Sequence, residues 1–329
     1  MHVCLASVVV YLSCHGYHAM RIHTGLSDIR SIVVAPSNLT VTELVIEKEG
    51  KPDEHESTWL WQKIFEAKDL PFHHFLDLNP RKHIPSKDES KDMDGDVHPV
   101  VLVGGLFSSE LFADISKATS KHSYCSKSAQ KEKLWLNPSE FLPFKVNCWM
   151  ENLALSWNAE RGQYEDNGVH VETSAWGSVE GFVFAMWDIV YSALQPLGYS
   201  KKSIRGAQYD WRLGPAEWLS TGHFGKFKRL IEETYEDNGR RRVIPISISQ
   251  GGQYVRNFLV SGIVDEGWKA KYIESWVSLS GIFDGSPDAL PSLIFPGRGE
   301  AEEITALPWV SAASFRDMGA TWSAAYAML

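Results

Sequence analysis

Positive charge is in short supply: 32 Lys and Arg stand against 41 Asp and Glu, a net charge of -9. That balance argues against a nucleic-acid partner, which leaves a basic footprint on the protein that binds it. The densest basic run, Arg240-Arg241-Arg242, reads as a solvated turn ahead of a buried strand. Long apolar runs are also missing. The best candidate, Val3 to Cys14, is too short to span a bilayer but has the length of a signal-peptide core, with small Cys14 and Gly16 where cleavage would fall. Its flank carries no Lys or Arg, so a buried strand or a mis-started reading frame stays open as the other explanation. Cysteine is sparse, with four residues. Cys4 and Cys14 would leave with the signal, and the remaining Cys125 and Cys148 are either a disulfide formed in an oxidising compartment or two buried thiols. No internal repeat is evident, and nothing in the sequence calls for a metal or a cofactor. Histidine, finally, stops early: none follows His223.

Against these absences stand 44% hydrophobic residues, enough for a sizeable core, and 13 Trp, a residue used both in cores and at membrane interfaces. Residues 19–98 read as an N-terminal extension with some apolar periodicity near Thr58-Trp59-Leu60-Trp61, ending in a charged connector over Lys87 to Asp96. Its acids do not make a calcium loop, because the Gly comes too early and no Glu closes the loop. Asn38-Leu39-Thr40 is an N-glycosylation sequon, which has meaning only in an exported protein.

The organised part begins at Pro99. Pro99-Val100-Val101-Leu102-Val103 is a continuous apolar run of strand length, as expected for a strand buried on both faces of a parallel sheet, and Gly104-Gly105-Leu106 turns at its end. Farther on, Arg242 to Ile246 reads as a strand, Ser247-Ile248-Ser249-Gln250-Gly251 as a tight turn and Gln253 to Leu259 as a helix. A serine on a sharp strand-to-helix turn, with small residues two before and two after it, is the nucleophile elbow of α/β-hydrolases. Ser249 is therefore the candidate nucleophile, and the backbone amides of Leu106 and Gln250 are the candidate oxyanion donors. Trp276 to Ser280 looks like the next strand, so strands and helices alternate and a mostly parallel sheet is expected. Pro245 is out of place, since a proline inside a central strand removes a ladder hydrogen bond. The hydrolase order then requires an acid and a histidine after the serine. The 80 residues after Ser249 contain acids but no histidine.

From Pro99 onward the chain resembles the lecithin:cholesterol acyltransferase and lysosomal phospholipase A2 family. The resemblance rests on separated blocks: the Pro99 to Gly105 strand and turn; Cys125-Ser126-Lys127, Trp135-Leu136-Asn137 and Asn147 to Asn152; Gly198-Tyr199 with Arg205-Gly206-Ala207-Gln208-Tyr209-Asp210-Trp211-Arg212; and Tyr272-Ile273 with Val277-Ser278-Leu279. The family elbow usually reads A-H-S-M-G, whereas Ile248 and Gln250 flank Ser249 here. The family's oxyanion turn carries an acid or a Cys where Leu106 stands. The loop after Ser278-Leu279 has drifted to Ser280-Gly281-Ile282-Phe283-Asp284-Gly285.

The resemblance implies an α/β-hydrolase fold with a mostly parallel sheet and a lid region at about 122–150 closed by a Cys125–Cys148 disulfide. Together with the reading of the N-terminal residues above, it gives a division into residues 1–18 as signal peptide, 19–98 as extension and linker, and 99–329 as a partial hydrolase domain, incomplete at the C-terminus because the family's triad acid and histidine lie beyond the elbow by more than the residues present. Trp135, Leu136, Phe141, Leu142 and Phe144 in the lid are candidates for lipid contact, with packing on the core as the equal alternative. Tyr209 to Arg212 reads as a buried charge-assisted brace. The implied activity is transfer of an acyl group from a glycerophospholipid through an acyl-serine to water, a sterol or another lipid alcohol. It would take place at a membrane or lipoprotein surface, in a secreted protein or in the lysosomal or endomembrane lumen. With its acid and histidine missing, the chain is expected to be inactive as it stands. The alternatives are a non-catalytic lipid-binding module and an enzyme like the phospholipid:diacylglycerol acyltransferases, though the Cys125 and Cys148 spacing points away from the latter.

Overall fold

The computed structural model describes residues 97–183, 186–298, 305 and 307–329, together with two short antiparallel strands, β1 (Arg30–Ile32) and β2 (Glu43–Val45). The expected signal segment, the Asn38 sequon and the charged connector at 87–96 lie outside the described residues.

The site is carried by a four-stranded sheet. Its strands are β3 (Val100–Val103), β9 (Ile204–Ala207), β10 (Ile244–Ile248) and β11 (Val277–Leu279), in the order β11-β10-β3-β9. Every pairing in it is parallel. The four residues of β3 are all buried. Side chains alternate faces along a strand, and a strand with helices on both sides must be apolar on both. Accordingly Val101 and Val103 join the larger core cluster while Val100 and Leu102 join a second one with Phe182, Trp187 and Tyr191.

Pro245 is accommodated by a gap in the ladder. Val243 bridges to Ile273 and regular pairing with β11 resumes only at Ile246, so the missing N–H falls between the two. The basic run before β10 is a solvated turn, with Arg240 paired to Glu236 and Arg242 to Glu274.

Two smaller sheets build the rest. β4 (Leu111–Ser116) lies between β5 (Ser128–Trp135) and β8 (Val169–Thr173), antiparallel to both, and β6 (Leu155–Asn158) pairs with β7 (Gln163–Asp166) in a hairpin. Helix α1 (Lys145–Leu153) is tied back by the disulfide between Cys125 and Cys148. Helix α2 (Met186–Leu194) follows β8, α3 (Pro215–Ser220) and α4 (His223–Asp237) lie between β9 and β10, and α5 (Gln250–Val260) leaves the elbow. The buried residues of α4 beyond its first, His223, are Phe224, Phe227, Leu230, Ile231 and Thr234, which recur at helical spacing and turn one stripe to the core. Next come α6 (Glu266–Tyr272), α7 (Ala289–Ile294), α8 (Ala312–Gly319) and α9 (Ser323–Ala327). No helix among the described residues is long and apolar enough to cross a membrane.

Candidate active site

The C-terminal ends of β3 and β10 are neighbours in the sheet, and each ends in a tight turn. At the end of β10, Ser249 is held at φ 52° and ψ -125°. A side chain at positive φ costs energy and persists only when the surroundings fix it, which is why such residues cluster at functional turns. Here the fixing groups are identifiable. Ser249 N–H donates to Leu279 O (3.0 Å), and Gly252 N–H donates back to Ser249 O (2.9 Å). The helix that follows can start at once because Gly251 and Gly252 lack side chains. A Cβ on Gly251 would lie 2.5 Å from the carbonyl oxygens of Val103 and Gly104, and one on Gly252 would lie 2.9 Å from Gly281 Cα. Ser247, the small residue two before the nucleophile position, is fully buried and its Oγ accepts the Trp276 indole N–H at 2.8 Å.

The turn after β3 presses against the elbow. A Cβ on Gly105 would sit 2.9 Å from Ser249 Cβ and 3.4 Å from Ser249 Oγ, so only glycine permits this approach. The turn is closed by Gly105 N–H donating to Ser108 Oγ (2.9 Å) and Ser108 N–H donating to Gly105 O (3.2 Å). Leu106 is the next residue, half-buried. Gln250 opens α5, and the first amides of a helix have no partner within it. Among the described residues no hydrogen bond engages the amides of Leu106 or Gln250.

The Gln250 side chain does not flank Ser249 in solvent. It is fully buried, its Oε1 accepting from Tyr209 Oη (3.3 Å) and its Nε2 donating to Trp211 O (3.0 Å). Tyr209 Oη also donates to Gly104 O at 2.7 Å, so Gln250 and Tyr209 together brace both turns. Beside them, Arg212 makes a two-pronged buried pair with Asp210, Nε to Oδ1 at 3.0 Å and Nη2 to Oδ2 at 2.7 Å. This is the brace expected from the sequence.

Histidines near the serine would decide what it can do. His98 bonds Arg242 O, at the opposite end of β3 from Gly104. His122 stacks on Tyr124 just ahead of Cys125, and exposed His170 faces Asp166 and Glu172. His223 is buried, with Nδ1 2.7 Å from Thr221 Oγ1 and Nε2 accepting from Asp210 N–H at 3.4 Å. Burial pushes its imidazole down to about 4, against the opposing pull of Asp210. Among the described residues none of these rings is hydrogen-bonded to Ser249.

The lid expectation needs correction. Cys125 and Cys148 are indeed joined. Trp135 and Phe141, however, are core residues rather than lipid contacts: Trp135 is fully buried, donates its indole N–H to Phe107 O (2.6 Å) and packs among Phe107, Phe141, Trp149 and Trp211. A large ring with a hydrogen-bond partner inside the protein gains more from burial than from exposure. Leu136 packs half-buried against the same cluster, and Leu142 is half-buried. The exposed rings of this region are Phe144 and Tyr124, 72% and 53% exposed, which meet edge to face. Phe144, one of the apolar lid residues named from the sequence, does stay outside, at φ 69° at the start of the helix.

A parallel sheet with a glycine turn and a strained serine elbow at adjacent strand ends is the architecture of an α/β-hydrolase. More narrowly, the chain belongs to the lecithin:cholesterol acyltransferase family, which matches it over residues 130–329. It is similar to the lysosomal phospholipase A and acyltransferase of Homo sapiens, 32% identical over 199 residues that make up 57% of this chain and 47% of that protein. It is also similar to the phosphatidylcholine-sterol acyltransferase of Gallus gallus, 30% identical over 198 residues (57% and 47%), and to that of Mus musculus, 27% identical over 216 residues (63% and 48%). The chain thus spans about half the length of the curated relatives it matches.

Proposed function

We propose that this chain carries the nucleophile and oxyanion turn of a lipid O-acyltransferase or phospholipase that acts on glycerophospholipids through an acyl-serine. One observation carries the reading: Ser249 stands at φ 52° on a strand-to-helix elbow with Gly105 pressed against it. In the reaction, Ser249 Oγ gives its proton to a histidine and attacks the ester carbonyl. The amides of Leu106 and Gln250 hold the oxyanion, the lysophospholipid leaves with the proton, and water, a sterol or another alcohol takes the acyl group.

Residues 1–329 supply no histidine on the C-terminal side of Ser249. By themselves they are therefore expected to be inert, and to turn over phosphatidylcholine when joined to a homologous segment that brings the acid and the histidine. The exposed Phe144 and Tyr124 support contact with a membrane or lipoprotein surface. The Cys125–Cys148 bridge supports a secreted or lysosomal setting. Fatty-acid release measured for residues 1–329, for the joined protein and for its Ser249→Ala variant tests the proposal. Activity in the joined protein alone, abolished by Ser249→Ala, is the expected pattern. That no histidine among the described residues is bonded to Ser249 favours a second reading, a lipid-binding module without catalysis; vesicle binding with no turnover in the joined protein would establish that one instead.

A further inference from the structure

Away from the elbow and the oxyanion turn, an open pocket of about 290 Å³ is lined by Trp157, Tyr164, Gly214, Pro215, Glu217 and Tyr326, with Ala216 and Ser323. Three of these are aromatic, one is a carboxylate, and none is Lys or Arg. Trp157 and Tyr164 are directly opposed across the β6–β7 hairpin, their rings 5.1 Å apart at 65°. Tyr164 and Tyr326 lie nearly parallel, 9° between planes and 6.3 Å between centroids. Trp157 and Tyr326 are 56% and 47% exposed, so the faces meet solvent rather than the core.

The arrangement is held from below. The hairpin turn is fixed by Asn158, whose Oδ1 accepts from Glu160 N–H and Arg161 N–H and whose Nδ2 donates to Glu165. Buried Glu217 ties hairpin to helix: Oε1 accepts from Tyr164 N–H (3.0 Å) and Oε2 from Gly214 N–H (3.3 Å). Tyr326 is anchored by its hydroxyl on Ala320 O at 2.7 Å.

Aromatic faces carry a negative quadrupole and attract cations, most strongly those too poorly hydrated to prefer water, as quaternary ammonium groups are. Three rings and a carboxylate in one lining, with no basic residue among them, suit such a group in chemistry and charge. We propose that Trp157, Tyr164, Tyr326 and the Glu217 carboxylate form a surface site for a quaternary ammonium group of the choline type. The site is independent of Ser249 and of its chemistry.

Calorimetric titration of the 329-residue chain with phosphocholine, choline and the uncharged choline isostere 3,3-dimethylbutan-1-ol tests it. Phosphocholine and choline are expected to bind, and the isostere about tenfold more weakly or not at all, because it matches the shape without the charge. Trp157→Leu and Tyr326→Leu, both at half-exposed positions, should each weaken binding by roughly tenfold, while Trp157→Phe keeps a ring and retains most of it. Ser249→Ala should leave it unchanged. Competition by phosphocholine against binding to phosphatidylcholine vesicles separates a headgroup on a lipid from a free ligand, and either source fits the site. Equal binding of the isostere, unchanged affinity in both leucine variants, or no phosphocholine binding overturns the proposal.

Discussion

Gly105 and His223 are the two residues whose environments make the sharpest demands. Substituting Gly105 with Ala would put a methyl 2.9 Å from Ser249 Cβ and 3.2 Å from Ile248 O, atoms of the strained elbow that cannot give way cheaply. Gly105→Ala is therefore expected to impair acylation of Ser249 strongly. Gly225→Ala, inside α4 with only the Arg229 guanidinium at 3.7 Å, should be neutral or stabilising by up to about 1 kcal/mol. Acylation rates of the two variants in the joined protein, together with thermal melts, check this pair.

His223 presents the other demand. Its Nε2 accepts from Asp210 N–H, so the network assigns the proton to Nδ1, donating to Thr221 Oγ1, which in turn donates to Glu217 O. A second proton would point at the Asp210 N–H. Because the folded value of about 4 lies below the ordinary value of 6.5, the unfolded chain takes up the proton first as the pH falls. The contribution to stability is whole above pH 6.5 and is lost on descending to about pH 4, a change of roughly 3 kcal/mol. Urea unfolding of the wild type and of His223→Gln at pH 7 and 4.5 should show the flatter dependence in the variant. Parallel curves would mean that His223 is not buried neutral.

Among the elements, the disulfide-closed region between β4 and α1 separates packing from surface. Reducing or replacing the Cys125–Cys148 bridge, which spans 23 residues, is expected to cost about 3 kcal/mol through the freedom returned to the unfolded chain. Alkylation of both thiols in the folded, unreduced protein would contradict it. Trp135→Ala should cost about 3–5 kcal/mol as a cavity in a packed aromatic cluster. Phe144→Ser should leave stability nearly unchanged and lower association with phospholipid vesicles; loss of vesicle binding in Trp135→Ala without loss of stability would return that ring to the surface.

These two residues also mark the limit of sequence reading for this region. Trp135 and Phe144 both sit in short apolar stretches bounded by charged or polar residues, and the same residue types serve cores and lipid interfaces. What sends Trp135 inward is the Phe107 carbonyl and the Trp149 and Trp211 rings, supplied by elements far away in the chain. By contrast, β3 and the elbow were legible because their signals are local: an apolar run too continuous for a half-exposed strand, and small residues wherever backbones meet. The strand carrying Pro245 was legible too, but the gap in the β11 ladder that accommodates it depends on where Ile273 falls.

Over the whole molecule, the parallel sheet divides the interior, with Val101 and Val103 facing the larger core and Val100 and Leu102 the smaller, and brings the glycine turn and the serine elbow to one edge. The pairing of those two turns and a brace from Tyr209 to Arg212 could be anticipated from the sequence, while the part Gln250 plays in it could not. Gln250, a departure from the family pattern beside Ser249, is a buried link joining Tyr209 to the Trp211 backbone. The aromatic pocket at the β6–β7 hairpin had no sequence signal either, since Trp157, Glu217 and Tyr326 are far apart in the chain and meet only through α3 and α9.

The central claim is that Ser249 is a nucleophile awaiting a histidine, and covalent labelling tests it most directly. Residues 1–329, the same residues joined to a homologous C-terminal segment, and the joined Ser249→Ala variant would be treated with a fluorophosphonate and the modified peptide mapped by mass spectrometry. A serine without its base reacts slower by several orders of magnitude, so the label is expected on Ser249 in the joined protein and on neither of the other two. Label on a different serine, or rapid labelling of Ser249 in residues 1–329 alone, would contradict it.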